Sequence, residues 1–362
     1  MTPSTPRPHI VVLNDTAVIA HHGCKIVMKR ILDQVPSWGV DVKTVSVYSD
    51  WRVFQKDIDS AIAVIVNGEG TLHHSADRGW RLVEVAPHCR QRGIPVFLIN
   101  TVWQDNSQEM ADMAADFLIR SVRESRSRQQ MQTQGLDARM VPDLTLGFDY
   151  SADDRQRAGL LYSDAVGMPV TDLIFRLYRK RQDGLFISLE PPVESRDNYS
   201  TTVAERLEPG PGSDLKRARQ LARTRFFKKA LIIRGKLKYW WRSRRGHIVE
   251  RPVDDFMALL ESSELVITGR FHVVCLCLVT GTPFLAVASN SHKVEGMLED
   301  AGLSHRLVSP QKLGNMLDKP PVWSEEDSRL AADFVAMARE AQEALFSDIG
   351  EVIGKQLGNK ES

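Results

Sequence analysis

Leu265-Val266-Ile267-Thr268-Gly269-Arg270-Phe271-His272 is an apolar, β-branched run that ends in a glycine and delivers an arginine and a histidine to the next element. Val273–Val279 follows as an equally apolar stretch, then the turn Gly281-Thr282-Pro283, then a second apolar run, Phe284–Ala288. Strands that are apolar on both faces belong in parallel sheets covered by helices on either side, and strand–helix–strand with short turns is the βαβ unit. This stretch therefore predicts an α/β domain whose chemistry sits where strand becomes helix.

The same alternation extends outward. In the first half, strands are expected at His9–Leu13, Val42–Val47, Ala61–Val66, Val96–Ile99, Phe117–Ser121 and Ala138–Val141, with amphipathic stretches such as Cys24–Val35 and Glu124–Gln132 between them. In the second half they are expected at Leu185–Leu189, His247–Val249, Leu265–Thr268, Phe284–Ala288 and Arg306–Val308, with helices at Val253–Ser262, Val273–Val279 and His292–Ala301. Ser324 and Asp327 read as a capping box opening a last helix from Glu325 to about Leu345. The expected organisation is a Rossmann-like domain at 1–145, a linker or insertion at 146–183, a second Rossmann-like domain at 184–323, and a C-terminal helix and tail at 324–362. Ligands of such sheets bind beyond the carboxyl ends of the strands, so two such domains should share a cleft.

The 362 residues are 43% hydrophobic and 26% charged, a soluble globular composition too long for one small core. Four cysteines, at 24, 89, 275 and 277, show no metal-ligand spacing and suit a reducing cytoplasm. Met1 to Pro8 lacks the apolar stretch of a signal peptide, and no run of about 18 uncharged apolar residues is present to span a bilayer.

Strand ends supply the candidate site. Asn14-Asp15-Thr16 follows the first strand, and His21-His22-Gly23 leads into the first helix. Asn67-Gly68-Glu69-Gly70-Thr71-Leu72-His73-His74 follows the third; glycines there let a ligand reach backbone N–H groups, and a helix start favours an anion. It matches neither the Walker A nor the dinucleotide pattern. Neighbouring histidines rarely chelate from one helix face, so no metal site is expected. Arg123 stands at another strand–helix junction. Arg270 offers a planar fork suited to carboxylate or phosphate, and His272, two residues on, can carry protons near neutrality. Lys293 opens the following helix and adds positive charge to the same cleft.

Taken in order, Asn14-Asp15, Asn67-Gly68-Glu69-Gly70, Arg123-Glu124-Ser125-Arg126-Ser127, Val141-Pro142-Asp143, Gly269-Arg270-Phe271-His272, Gly281-Thr282-Pro283 and Lys293 resemble the motif series of the polysaccharide pyruvyl transferase family. The resemblance runs from about residue 9 to 300. It implies two Rossmann-like domains in a GT-B-like arrangement, and transfer of a pyruvyl group from phosphoenolpyruvate, a co-substrate, to a sugar, with no further cofactor; the basic segment at 215–245 suits a lipid-linked glycan as acceptor. The resemblance maps donor binding onto Arg270 and His272, with Arg123 a third. The mechanism expected from charge uses His272 as acid and Asp15 or Glu69 as base; Asn14, Gly68, Gly70 and Lys293 complete the donor site. Two departures stand out: no glycine precedes Asp15, and Glu69 interrupts the glycine turn. The extra carboxylate would suit a GT-B-like glycosyltransferase using a nucleotide-activated sugar, such as a CMP-linked acidic sugar, and a non-catalytic glycan- or membrane-binding homologue is a third reading.

Charge is unevenly spread. The formal total is +1, from 47 Lys and Arg against 46 Asp and Glu, yet residues 216–246 hold 13 of the basic residues and no acidic one. Subtracting those 13 leaves 34 basic against 46 acidic residues, a formal −12 for the rest. Apolar residues recur every three or four positions from Leu215 to Trp241, a basic amphipathic helix pattern. Phe226, Phe227, Lys228, Lys229, Trp240 and Trp241 suit an anionic lipid interface better than nucleic acid, for which no recognition fold is present. The expected location is the inner face of a bacterial cytoplasmic membrane, and nothing in the sequence speaks to oligomeric state. Deleting 215–245 is expected to abolish co-sedimentation with anionic liposomes; undiminished sedimentation of the deleted protein would refute the assignment.

Overall fold

The computed structural model describes residues 7–19, 21–150, 156–187, 252–288 and 290–361. The basic segment 215–245 and the strand expected at His247–Val249 lie outside them.

The first domain runs β1 (His9–Asp15), α1 (His22–Leu32), β2 (Asp41–Ser46), α2 (Gln55–Ser60), β3 (Ala63–Asn67), α3 (Asp77–Val83), α4 (Val85–Arg90), β4 (Val96–Thr101), α5 (Gln108–Ala114), β5 (Ile119–Val122), α6 (Ser125–Thr133) and β6 (Arg139–Met140). Its six strands are all parallel, in the order β2-β1-β3-β4-β5-β6. Every residue of β3 and β4 is buried, as unbroken apolar runs in a doubly covered sheet must be. The face of Val11, Val64 and Leu98 packs on α2 to α5. The face of Ile10, Val12, Ile65 and Ile99 packs on α1.

The second domain contains β7 (Leu160–Ala165), α7 (Met168–Arg181), β8 (Gly184–Ile187), α8 (Val253–Glu261), β9 (Leu265–Gly269), α9 (Phe271–Thr280), β10 (Phe284–Val287), α10 (Lys293–Asp300), β11 (Leu307–Val308), α11 (Pro310–Asp318) and α12 (Glu325–Glu361). Its five described strands are parallel, in the order β11-β10-β9-β7-β8. Among the described residues no helix is long and apolar enough to cross a membrane.

Two expectations are corrected. Residues 160–181, read as part of a linker, form β7 and α7, and β7 lies inside the second sheet between β9 and β8. Tyr162, Ser163 and Asp164 break the apolar pattern, but they are buried and bonded: Tyr162 Oη donates to Asp183 Oδ1 at 2.8 Å. The last helix does not stop near Leu345 but continues to Glu361, 37 residues in all. Its capping box forms as expected, with Asp327 N–H donating to Ser324 Oγ at 3.1 Å and Ser324 N–H to Asp327 Oδ2 at 2.8 Å. Asp327 also pairs with the buried Arg306 at 2.6 Å. Within the extension, Gly350 permits a close approach: a Cβ there would lie 2.7 Å from the Trp38 indole nitrogen.

Helix α12 joins the domains. Ala331, Phe334, Val335 and Ala338 belong to the second domain's core, whereas Leu345, Phe346, Ile349 and Ile353 complete the α1 face of the first. Where the helix crosses, the fully buried Gln342 donates Nε2–H to the carbonyl of Asp143 at 2.9 Å. Truncating Phe346, 2% exposed, to alanine is expected to cost about 3–5 kcal/mol of unfolding free energy, read from urea denaturation.

Candidate active site

Each sheet reverses its strand order once. In the first, β1 lies between β2 and β3, so the crevice opens beyond the ends of β1 and β3; in the second, the corresponding pair is β7 and β9. Asn14 and Glu69 follow from the first reversal, Asp164 and Arg270 from the second.

At the first, Asn14 adopts φ +64°, and its Nδ2 donates to the carbonyls of Asn67 at 2.6 Å and Glu69 at 3.3 Å. Asn tolerates this left-handed backbone because its side chain can bond locally. Asn67 answers through Nδ2 to the Asn14 carbonyl at 3.3 Å and Oδ1 from the Glu69 N–H at 3.2 Å. The two turns are thereby fixed to each other, and the buried Glu69 carboxylate is aimed: Oε2 accepts from Thr16 Oγ1 at 2.6 Å, Oε1 from Cys24 Sγ at 3.1 Å. Gly68 packs against Thr101, and Gly70 turns the chain at φ +74°.

At the second, Arg270 is the N-cap of α9 and pairs with Asp164 at 2.5 Å. His272, in the first turn, reaches across to the first domain. Its Nε2 stands 3.4 Å from Glu69 Oε1 and 3.7 Å from Asp143 Oδ2, and its ring meets His21 edge-on at 5.2 Å between centroids. This approach requires a glycine opposite, since a Cβ at Gly23 would fall 2.3 Å from the His272 ring.

Arg123, 2% exposed, pairs with the equally buried Asp143 at 2.7 Å, and its guanidinium carbon lies 4.9 Å from the centroid of the Phe271 ring. Lys293 Nζ lies 5.9 Å from the same ring. Three cations from the two domains thus surround the Phe271–His272 step. Asp143, Glu69 and Asp164 oppose them. Glu124, beside Arg123, is not a ligand group but the N-cap of α6, accepting from Ser127 N–H at 3.0 Å.

Burial alone would raise the Asp143 carboxyl, but His272 and Arg123 outweigh it and hold it well below the usual carboxylate range. Burial lowers His21 well below an ordinary histidine, with help from His272 and Arg270. Burial takes His22 down to about 4. Burial and then Arg123 lower Lys293 to about 8. Burial and Glu69 push the Cys24 thiol well up, which leaves it protonated.

Of the residues singled out from sequence, His272, Glu69, Arg270, Arg123 and Lys293 come together, and Asn14, Gly68 and Gly70 form the turn beneath them. Asp15 does not join them; its Oδ1 accepts from Ala17 N–H at 2.9 Å and serves the turn. Phe226, Phe227, Lys228, Lys229, Trp240 and Trp241 lie outside the described residues. Sequence reasoning missed Asp143 as a charge partner, although it stands in the quoted Val141-Pro142-Asp143 motif, and missed Asp164 because its strand was read as linker. His21 and Cys24 were visible only as a turn and a helix start; nothing in their spacing points to residue 272.

The model of the family described as polysaccharide pyruvyl transferase matches residues 20–291. The chain belongs to the polysaccharide pyruvyl transferase family. It is a transferase enzyme of that family, whose members act on polysaccharide. Among solved structures it is similar to the UDP-GlcNAc 2-epimerase of Neisseria meningitidis, at 10% identity, covering 94% of this chain and 99% of that one with a TM-score of 0.50. It is equally similar to an α,α-trehalose-phosphate synthase of Burkholderia vietnamiensis, at 12% identity, 96% and 100% coverage and a TM-score of 0.50. These likenesses show the fold: two Rossmann-like domains, GT-B-like. No curated protein matches the sequence.

Gly23→Ala is expected to force α1 and α9 apart and to reduce transferase kcat/KM by at least about 10-fold, the equivalent of 1.4 kcal/mol, while circular dichroism stays unchanged. Stability should also fall with acid. His21 and His22 are neutral when folded and take up protons below about pH 6.5 when unfolded, so their contribution is lost as pH drops from 6.5 toward 4. Asp143 is depressed, so its contribution is complete above the unfolded carboxylate pKa near 3.8 and is lost only as pH falls further. Urea midpoints measured between pH 7.5 and 4.5 should decline, and His22→Gln should flatten part of that decline.

Proposed function

We propose that this enzyme transfers a pyruvyl group from phosphoenolpyruvate to sugar hydroxyls of a lipid-linked bacterial surface glycan. The observation that carries the reading is the convergence of Arg123, Arg270 and Lys293 on the Phe271–His272 step. A donor bearing a carboxylate and a phosphate needs cations on more than one side, and guanidinium forks match both groups.

In this reading the cations hold the donor's carboxylate and phosphate. His272 gives a proton to the methylene carbon, which becomes a methyl group, while a sugar hydroxyl oxygen bonds to the adjacent carbon. The hydroxyl proton passes to Glu69, whose Oε1 faces His272 Nε2 at 3.4 Å and can return the proton to the ring. Cleavage of the carbon–oxygen bond to the phosphate lets a second hydroxyl close the ketal, and the proton of that hydroxyl passes through Glu69 to the phosphate, which leaves as hydrogen phosphate. The cations stabilise negative charge on the departing phosphate within a site shielded from water. Glu69 takes the base role in preference to Asp15, whose carboxylate is engaged in its own turn. The cationic, aromatic 216–246 segment supports a membrane-bound acceptor and work at the inner face of the cytoplasmic membrane.

Phosphoenolpyruvate at 100 times its dissociation constant should stabilise the protein by about 2.7 kcal/mol, seen as a thermal shift that Arg270→Ala removes. A shift with a CMP- or UDP-sugar and none with phosphoenolpyruvate would instead assign a glycosyltransferase. Glu69→Gln should lower kcat by about 10²–10⁴-fold with little change in donor KM, measured as phosphate release with a glycan acceptor.

A further inference from the structure

Beneath the cations, the seam between the domains holds a set of soft donors that the transfer chemistry does not use as a group. One ring nitrogen each of His21 and His272 and the Sγ of Cys24 all lie within 4.8 Å of one another. Glu69 Oε1 is 3.1 Å from Cys24 Sγ and 3.4 Å from His272 Nε2. Donors bonded tetrahedrally at zinc distances are separated by about 3.3–3.8 Å, so the Glu69 contacts are already at ligand spacing and the histidine–cysteine triangle needs to contract by about 1 Å. Independently, His272 is only 8% exposed, and its Nε2, which points into this cluster, makes no hydrogen bond: the carboxylate oxygens Glu69 Oε1 and Asp143 Oδ2 stand off at 3.4 and 3.7 Å. A buried polar atom without a partner is costly, and a cation placed among these donors would satisfy it.

We propose that His21, Cys24, His272 and Glu69 form a binding site for a borderline-soft divalent cation of the zinc class. Two imidazoles, a thiolate and one carboxylate oxygen are a zinc donor set and a poor one for magnesium or calcium. The charges balance: a thiolate and a carboxylate neutralise the dication, while Asp143 and Asp164 already answer Arg123 and Arg270. As the metal–sulfur bond forms, the Cys24 proton, now shared with Glu69 Oε1, leaves to solvent. Thr16 supplies the outer shell, its hydroxyl holding Oε2 at 2.6 Å so that Oε1 faces the site. Two ligands come from α1 and its cap and one from α9, so the cation would also pin the domains together. It would occupy the Nε2 that the proposed transfer uses for its proton. Zinc is therefore an inhibitor, a consequence that rests on His272 being the acid.

The test is titration of the purified full-length protein with cobalt(II), then displacement by zinc. One equivalent should produce tetrahedral ligand-field bands and a thiolate-to-metal charge-transfer band, both lost on adding zinc. Cys24→Ser should lose the charge-transfer band, Cys275→Ser should keep it, and Thr16→Val should keep it with an affinity about 10–100-fold weaker. If Cys24→Ser does not fold by circular dichroism, the Thr16→Val and Cys275→Ser titrations decide. Absence of the band, its loss in Cys275→Ser, or unchanged affinity in Thr16→Val overturns the site. The spectrum needs no donor substrate, so it stands or falls apart from the transfer reaction. Zinc that displaces cobalt yet leaves turnover intact overturns the inhibitory role alone.

Discussion

A buried charge cluster at the domain seam is the constraint on which the rest of this structure depends. Arg123 and Asp143 are almost completely inaccessible, and His272 from the opposite domain completes the group. Isolated charges could not remain ionised at such depth. Each is tolerable because the others are present, and removing any one leaves the remainder uncompensated. The cluster therefore couples the electrostatics of the candidate site to the docking of the two domains.

That coupling is reinforced from outside the cleft. Helix α12 begins on the second domain's core, is capped by the Ser324–Asp327 box, and ends on the first domain's core. At its crossing point Gln342 bonds the carbonyl of Asp143, so the element that ties the halves together also positions the carboxylate between them. A second seam, where Arg126 meets Glu299 and the Ser125 N–H meets Asp300 Oδ2 at 2.8 Å, joins α6 to α10. The Arg-Glu-x-x-Ser segment accordingly does three jobs: Arg123 enters the site, Glu124 caps α6, and the residues that follow dock the other domain.

Much of this was legible beforehand for one physical reason: parallel sheets covered on both faces write themselves as continuous apolar runs. β1, β3 and β4, and β9 and β10 with the helix between them, appear in the sequence as such runs. β7 does not, because Tyr162 and Asp164 satisfy their polar groups through Asp183 and Arg270, far along the chain, and a local pattern carries no information about those partners. α12 runs past Leu345 because Phe346, Ile349 and Ile353 pack on the first domain's core, and Gly350 there allows the close approach of Trp38.

The sequence by itself determined the two-domain α/β plan, the capping box at Ser324, and the strand ends that carry Glu69, Arg123, Arg270, His272 and Lys293. Those are consequences of hydrophobic periodicity and turn chemistry, which act over a few residues. Only the tertiary structure decided that Glu69 and not Asp15 faces the histidine, that Asp143 and Asp164 are the counter-charges, and that His21 and Cys24 lie beside His272. Those choices depend on which side chains meet across the seam, at separations of 20 to 250 positions in the chain, where burial and Coulomb attraction act but local propensity does not.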